Sequence, residues 1–110
     1  MRNRKVKIDK PDSVDLLVIA LCRDFDRRKK AIDLGSATRR TLVEFRYLNF
    51  KILEAVGDVV EKDLVPIYIE EIGNNVGYAK TVIDGISEVS YKKTKKLLRE
   101  NIAKKLHLTD

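Results

Sequence analysis

The chain holds few of the side chains from which reactive centres are built. Its 110 residues include one cysteine, one histidine, one methionine and no tryptophan. A lone Cys22 excludes an intramolecular disulfide and offers no second thiol for a metal cage. Set among Ile19, Ala20 and Leu21, it reads as a small buried hydrophobe. The only histidine, His107, stands three residues before the end of the sequence, where neither catalysis nor metal binding is expected. No repeat, low-complexity tract, glycine-rich phosphate loop or metal-ligand spacing occurs. The longest apolar run is Leu16-Leu17-Val18-Ile19-Ala20-Leu21-Cys22. That is far short of the roughly 20 apolar residues that span a bilayer, so no membrane partner is expected. The basic N-terminal segment is not followed by a small-residue cleavage site and does not read as a secretory signal, which makes a cytoplasmic location the expectation. The acidic pair Glu70-Glu71 is no acid/base couple, because neighbouring helical residues point about 100° apart; both are expected on the solvated surface. No catalytic residue, cofactor or metal is expected, and an enzymatic role is not.

What the chain does have is charge and helical periodicity. It is 44% hydrophobic and 36% charged with a formal net charge of +6, which suits one compact domain or two small helical lobes sharing a core. The charge is segregated. Met1 to Lys10 carries five Lys/Arg against one Asp, and Gly57 to Ser90 two Lys against seven Asp/Glu. From Tyr91 to Asp110 there are seven Lys/Arg against Glu100 and Asp110. Two basic segments around an acidic middle point to a polyanionic partner.

Residues 1–10 lack periodicity and read as a flexible basic arm. Pro11-Asp12-Ser13 then signals a helix start. Val14, Leu17, Val18, Leu21, Phe25 and Ile32 recur at helical spacing, which predicts one amphipathic helix ending at Leu34-Gly35. Ser36 or Thr38 can cap a second helix from about Ala37 to Glu61, with Leu42, Phe45, Leu48, Ile52, Leu53, Val56 and Val60 along one stripe. Two such helices predict an antiparallel hairpin over 11–62. Leu16, Ile19, Val43, Tyr47 and Phe50 lie off the main stripes, which implies further burial by the C-terminal half or by a second subunit, and the hairpin is expected to offer an oligomer or partner surface.

Over 63–110 the pattern predicts a three-helix lobe. Asp63 is placed to cap a helix from Leu64 to Ile72 with Pro66 in its first turn, and Gly73-Asn74-Asn75-Val76-Gly77 must be a loop. A short helix is predicted from Tyr78 to Ile86, and Ser87 caps a long last helix over 88–106. Short, short, long with a tight turn before the last is the outline of a helix-turn-helix. The fold class is therefore all-α: a helical hairpin followed by a helix-turn-helix lobe.

On a helical wheel Tyr91, Leu98, Ile102 and Leu106 share the inner face of the last helix, on which Thr94 and Lys95 intrude. Val89, Lys92, Lys93, Lys96, Arg99 and Lys104 lie on the broad outer side. With Ser87 and Glu88 they form the expected DNA contact set, joined by Arg2, Arg4 and Lys5 of the arm. Lysine bonds phosphate or guanine edges, and Val89 can touch a thymine methyl group. The scarcity of aromatics, largely at core spacing, disfavours base stacking on single strands.

The string Ser87-Glu88-Val89-Ser90-Tyr91, then Lys92-Lys93-Thr94-Lys95-Lys96-Leu97-Leu98 and Ile102-Ala103-Lys104-Lys105-Leu106, resembles the tail of ArpU-like and RinA-like phage transcriptional regulators of Gram-positive bacteria. Their C-terminal lobe is similar to region four of sigma factors. The resemblance covers roughly residues 63–108 and implies a prophage-encoded transcription regulator, with double-stranded DNA and RNA polymerase as partners and residues 87–96 at the promoter. Asp84 departs from the pattern, standing where an apolar residue is usual. The alternative is a helical interaction or assembly module without nucleic-acid binding, its lysines serving solubility.

Overall fold

The structure, a computed structural model, describes residues 12–109. The arm residues Arg2, Arg4 and Lys5 lie outside the described residues. The protein is all-α. Its helices are α1 (Ser13–Arg23), α2 (Phe25–Leu34), α3 (Arg39–Gly57), α4 (Val65–Gly73) and α5 (Glu88–Lys105), and no strand occurs among the described residues.

Helix ends follow local chemistry. Asp12 accepts from the Asp15 N–H at 2.8 Å to open α1, and Thr38 accepts from Thr41 N–H at 3.3 Å to open α3. Gly35 closes α2 in the left-handed conformation at φ 61°, which a Cβ would penalise. In place of the single helix predicted over 13–34, the chain kinks at Asp24. The buried Arg28 explains it. Its Nη2 donates to the Leu21 carbonyl, the acceptor that an unbroken helix offers to Phe25 N–H, while its Nε donates to Asn49 Oδ1 at 2.7 Å. A side chain inserted into the backbone ladder is a recognised cause of kinks.

The kink separates two roles. Helix α2 lies along α3, as a hairpin should, but α1 swings away to pack on α4 and α5. One core results. Val18, Ile19 and Cys22 of α1 join Ile52, Ala55 and Val56 of α3, Tyr68, Ile69 and Ile72 of α4, and Leu98, Ile102 and Ala103 of α5. The core therefore crosses the boundary drawn between residues 62 and 63.

Helix α3 stops at Gly57 rather than Glu61. A 3₁₀ turn over Lys62–Leu64 leads into α4, so Asp63 is not its cap, although Pro66 does occupy the first turn. The end of α4 meets α1 closely: a Cβ on Gly73 would stand 2.7 Å from Arg23 N and 2.9 Å from the Cys22 carbonyl carbon.

The predicted helix over Tyr78–Ile86 is only a 3₁₀ turn, Tyr78–Lys80, followed by irregular chain. Thr81, Val82 and Ile83 are β-branched and Asp84-Gly85 follows, a poor stretch for helix. The extended path is also held from outside. Glu71 accepts from Thr81 Oγ1 at 2.7 Å and Val82 N–H at 3.0 Å, and Tyr78 donates to the Ile86 carbonyl at 2.9 Å. The last helix thus lacks the second α-helix of a helix-turn-helix before it.

Candidate nucleic-acid interface

Helix α5 is a braced platform. Ser87 caps it, accepting from Ser90 N–H at 3.1 Å, Glu88 sits at its positive end, and Lys104 and Lys105 lie at its negative end. Its inner face is buried through Tyr91, Lys95, Leu98, Ile102 and Ala103. Tyr91 packs against Tyr68 and Tyr78, with ring centroids 6.1 and 5.8 Å away, and donates to Glu71 at 2.6 Å. Asn101 Nδ2 adds a bond to the Ala55 carbonyl of α3 at 2.8 Å.

Glu71 is buried, contrary to the surface position expected of it; only Glu70 is exposed. Burial by itself would raise the Glu71 pKa. Donation from Tyr91, Val82 N–H and Thr81, with the nearby Lys95 charge, outweighs it and holds the carboxyl below its ordinary value. Tyr91 moves up, because burial and its bond to Glu71 both favour the neutral phenol. Lys95 donates to the Val76 carbonyl and lies 5.3 Å from the Tyr91 ring centroid. Burial lowers its pKa, as does Arg99, while Glu71 opposes. This cluster ties the 74–87 segment to α4 and α5. Nothing in the sequence marks Glu71 for it; the inward register of Lys95 was the one available sign.

The outer side of α5 carries most of the predicted contact set. Lys92, Lys93, Lys96 and Lys104 are exposed, and Val89 is 77% exposed. Lys92 bridges Glu88 at 2.8 Å. Two other basic residues are held elsewhere: Arg99 is half-buried and pairs with Asp15 of α1 at 3.6 Å, and Lys105 bridges Asp58 at 3.2 Å and Glu54 at 3.6 Å. Arg99 is therefore at the edge of the outer face and not on it. Ser87 spends its hydroxyl oxygen on the cap.

The beginning of α1 lies beside this face. Asp12, Val14 and Asp15 line one hollow of about 480 Å³ with Lys96, Arg99 and Lys104. The point at which the basic N-terminal segment joins the described chain is thus next to the lysines of α5. Among the described residues no group of three or more His, Cys, Asp or Glu side chains is arranged to hold a metal ion, and no helix is long and apolar enough to cross a membrane. Comparison with protein-family models, with curated proteins and with solved structures found no match.

Proposed function

We propose that this protein binds double-stranded DNA through the outer face of α5, and that it acts as a transcription regulator of the phage type its last helix resembles. The supporting observation is the convergence of Lys93, Lys96 and Lys104 on one side of a helix fixed from behind, beside the entry point of the basic segment 1–10. Ammonium groups on a helix already fixed in place gain phosphate contacts at the cost of ordering their side chains but not the backbone. With no second α-helix ahead of it, α5 rests on the Glu71–Tyr91 cluster instead. Phosphate contact therefore dominates, with Val89 and Lys92 as the residues nearest base edges; Lys92 joins in by releasing Glu88. RNA polymerase is the second partner implied by the resemblance.

Binding of duplex DNA measured against salt tests this. Three neutralised phosphates contribute a slope of about −2.7 to log K against log salt. Replacing Lys93, Lys96 and Lys104 together by alanine should remove that contribution while the melting temperature holds, as is usual at surface positions. No binding at low salt, or an unchanged slope in the triple variant, refutes the reading. Loss of binding in Arg39→Ala/Arg40→Ala instead would move the interface to α3.

A further inference from the structure

Helix α3 has two apolar faces and the core uses one. Ile52, Ala55 and Val56 are buried, whereas Val43, Tyr47 and Phe50 on the opposite side are 55%, 46% and 60% exposed. Their spacing of four and three residues keeps them within about 60° on the helix, so they form one continuous ridge. Arg40, Glu44, Lys51 and Asp58 run along a single flank of that ridge, since they fall within about 40° of one another on the same wheel. Asp58 caps α3 with helical dihedrals, φ −71° and ψ −19°, and so continues the flank.

Read from the N-terminal end, that flank alternates positive, negative, positive, negative. Read from the other end it alternates negative, positive, negative, positive. A second copy of α3 laid antiparallel therefore brings Arg40 toward Asp58 and Glu44 toward Lys51, and the same pairs again by symmetry. Glu54, the next position along the ridge, comes near Val43 and Glu44 of the other copy, with its charge already met by Lys51 and Lys105. The register that aligns these charges also puts Tyr47 of one copy on Phe50 of the other, and on the far flank the stem of Arg46 beside Leu53. A parallel pair would instead gather Arg39, Arg40 and Arg46 of both copies at one end. Antiparallel helix dipoles favour the same choice.

We infer that two copies of this chain associate through the outer faces of their α3 helices, antiparallel and crossing between Tyr47 and Phe50. The contact is isologous, so it closes at a dimer. The ion pairs that Asp58 and Lys51 already make within the chain do not block it. Lys105 takes Asp58 through Oδ2 while the side chain remains 52% exposed, and Lys51 reaches Glu54 at 3.7 Å. Three apolar side chains per copy make a small interface of the weak, reversible class, for which dissociation on the order of tens of micromolar is expected.

Sedimentation equilibrium of the full chain without DNA, from about 5 to 500 μM, is the test; lacking DNA, it stands apart from the DNA reading. A concentration-dependent monomer–dimer equilibrium is expected. Phe50→Lys and Tyr47→Glu should each give a monomer across that range, with melting unchanged at concentrations low enough for wild type to be monomeric too. Glu44→Lys should weaken the dimer about ten-fold or more, and Glu44→Lys combined with Lys51→Glu should restore it. A wild-type monomer at the highest concentration overturns the proposal. So does a species larger than a dimer, a dimer that survives both Phe50→Lys and Tyr47→Glu, or a double charge swap that fails to recover association.

Discussion

Gly57 and Gly73 are each the last residue of an α-helix, yet alanine should act on them in opposite directions. At Gly57 an added Cβ meets nothing within 4 Å. The gain there is a less disordered unfolded chain and a better helix former, about 0.4 to 1 kcal/mol of stability. At Gly73 the same methyl would stand 2.7 Å from Arg23 N, 2.8 Å from Arg23 Cα and 2.9 Å from the Cys22 carbonyl carbon. Ordinary carbon contacts begin near 3.5 Å, and every atom in the way is backbone, so α4 must withdraw from α1 by roughly 0.7 Å. Overpacking of this kind costs about 1 to 3 kcal/mol. Withdrawal also stretches the bond from Arg23 Nε to the Gly73 carbonyl, now 3.1 Å. The steric term exceeds the propensity term, and a net loss of about 2 kcal/mol is expected. Unfolding entropy of about 2.1 cal/mol/K per residue over this chain makes that close to 9 °C in melting temperature. Calorimetry of both variants against wild type measures it. If Gly73→Ala melts at or above wild type, moving with Gly57→Ala, the close approach of α4 to α1 is wrong.

Glu71, whose pKa is depressed in the fold, contributes stability that is present above its ordinary value of 4.5 and is lost as pH falls through the lower folded value. Unfolding midpoints from pH 7 to pH 3 should show this loss in wild type; Glu71→Gln should lack it, and at pH 7 be weaker by about 1 to 3 kcal/mol, since the amide turns a donor toward Val82 N–H or Tyr91. Equal acid sensitivity in the two proteins would refute the assignment. Asn49→Ala strips the buried Arg28 of its 2.7 Å acceptor and should cost about 2 to 3 kcal/mol in denaturant titration. Lys29→Ala, which removes only a 4.0 Å pair with Asp33 between two largely exposed side chains, should stay within about 0.5 kcal/mol; similar values for the two variants would count against the buried role of Asn49.

The elements legible in the sequence are those whose causes are local. Gly35, Thr38 and Ser87 act within three residues of themselves, and all three stand where their chemistry places them. The loop through Asn74 and Asn75 is likewise local, with Asn75 at φ 54°. The departures come from contacts across the chain. The kink at Asp24 needs Asn49 to hold Arg28, 21 residues away, and the failure of the 78–86 helix involves Glu71 taking the Thr81 hydroxyl and the Val82 N–H. Neither partner carries a periodicity that marks it as interior, since an amphipathic pattern assigns every glutamate and asparagine to water.

The same division runs through the basic residues of α5. Periodicity alone separates Lys92, Lys93, Lys96 and Lys104, which face outward, from Lys95, which faces in. It fails for Arg99, because its carboxylate partner Asp15 belongs to α1, whereas Lys105 falls near the inner face on the wheel and does meet Asp58 and Glu54 of α3. A formal count of seven cations over 91–110 therefore overstates the field that a polyanion meets, as four of them already face carboxylates or the interior: Lys92 at Glu88, Arg99 at Asp15, Lys105 at Asp58 and Glu54, and the buried Lys95. Lys95, Arg99 and Lys105 are not idle. The helix is poor in apolar residues, and its fixed position depends on Lys95 at the Val76 carbonyl, Arg99 at α1 and Lys105 at α3 as well as on Tyr91, Leu98 and Ile102. Inward cations hold the rod, and Lys93, Lys96 and Lys104 stay exposed on its outer side. If α5 binds DNA as proposed, removing an inward cation should weaken binding only by loosening α5, with a fall in melting temperature alongside. An outward lysine should change the salt slope by about 0.9 with no such fall.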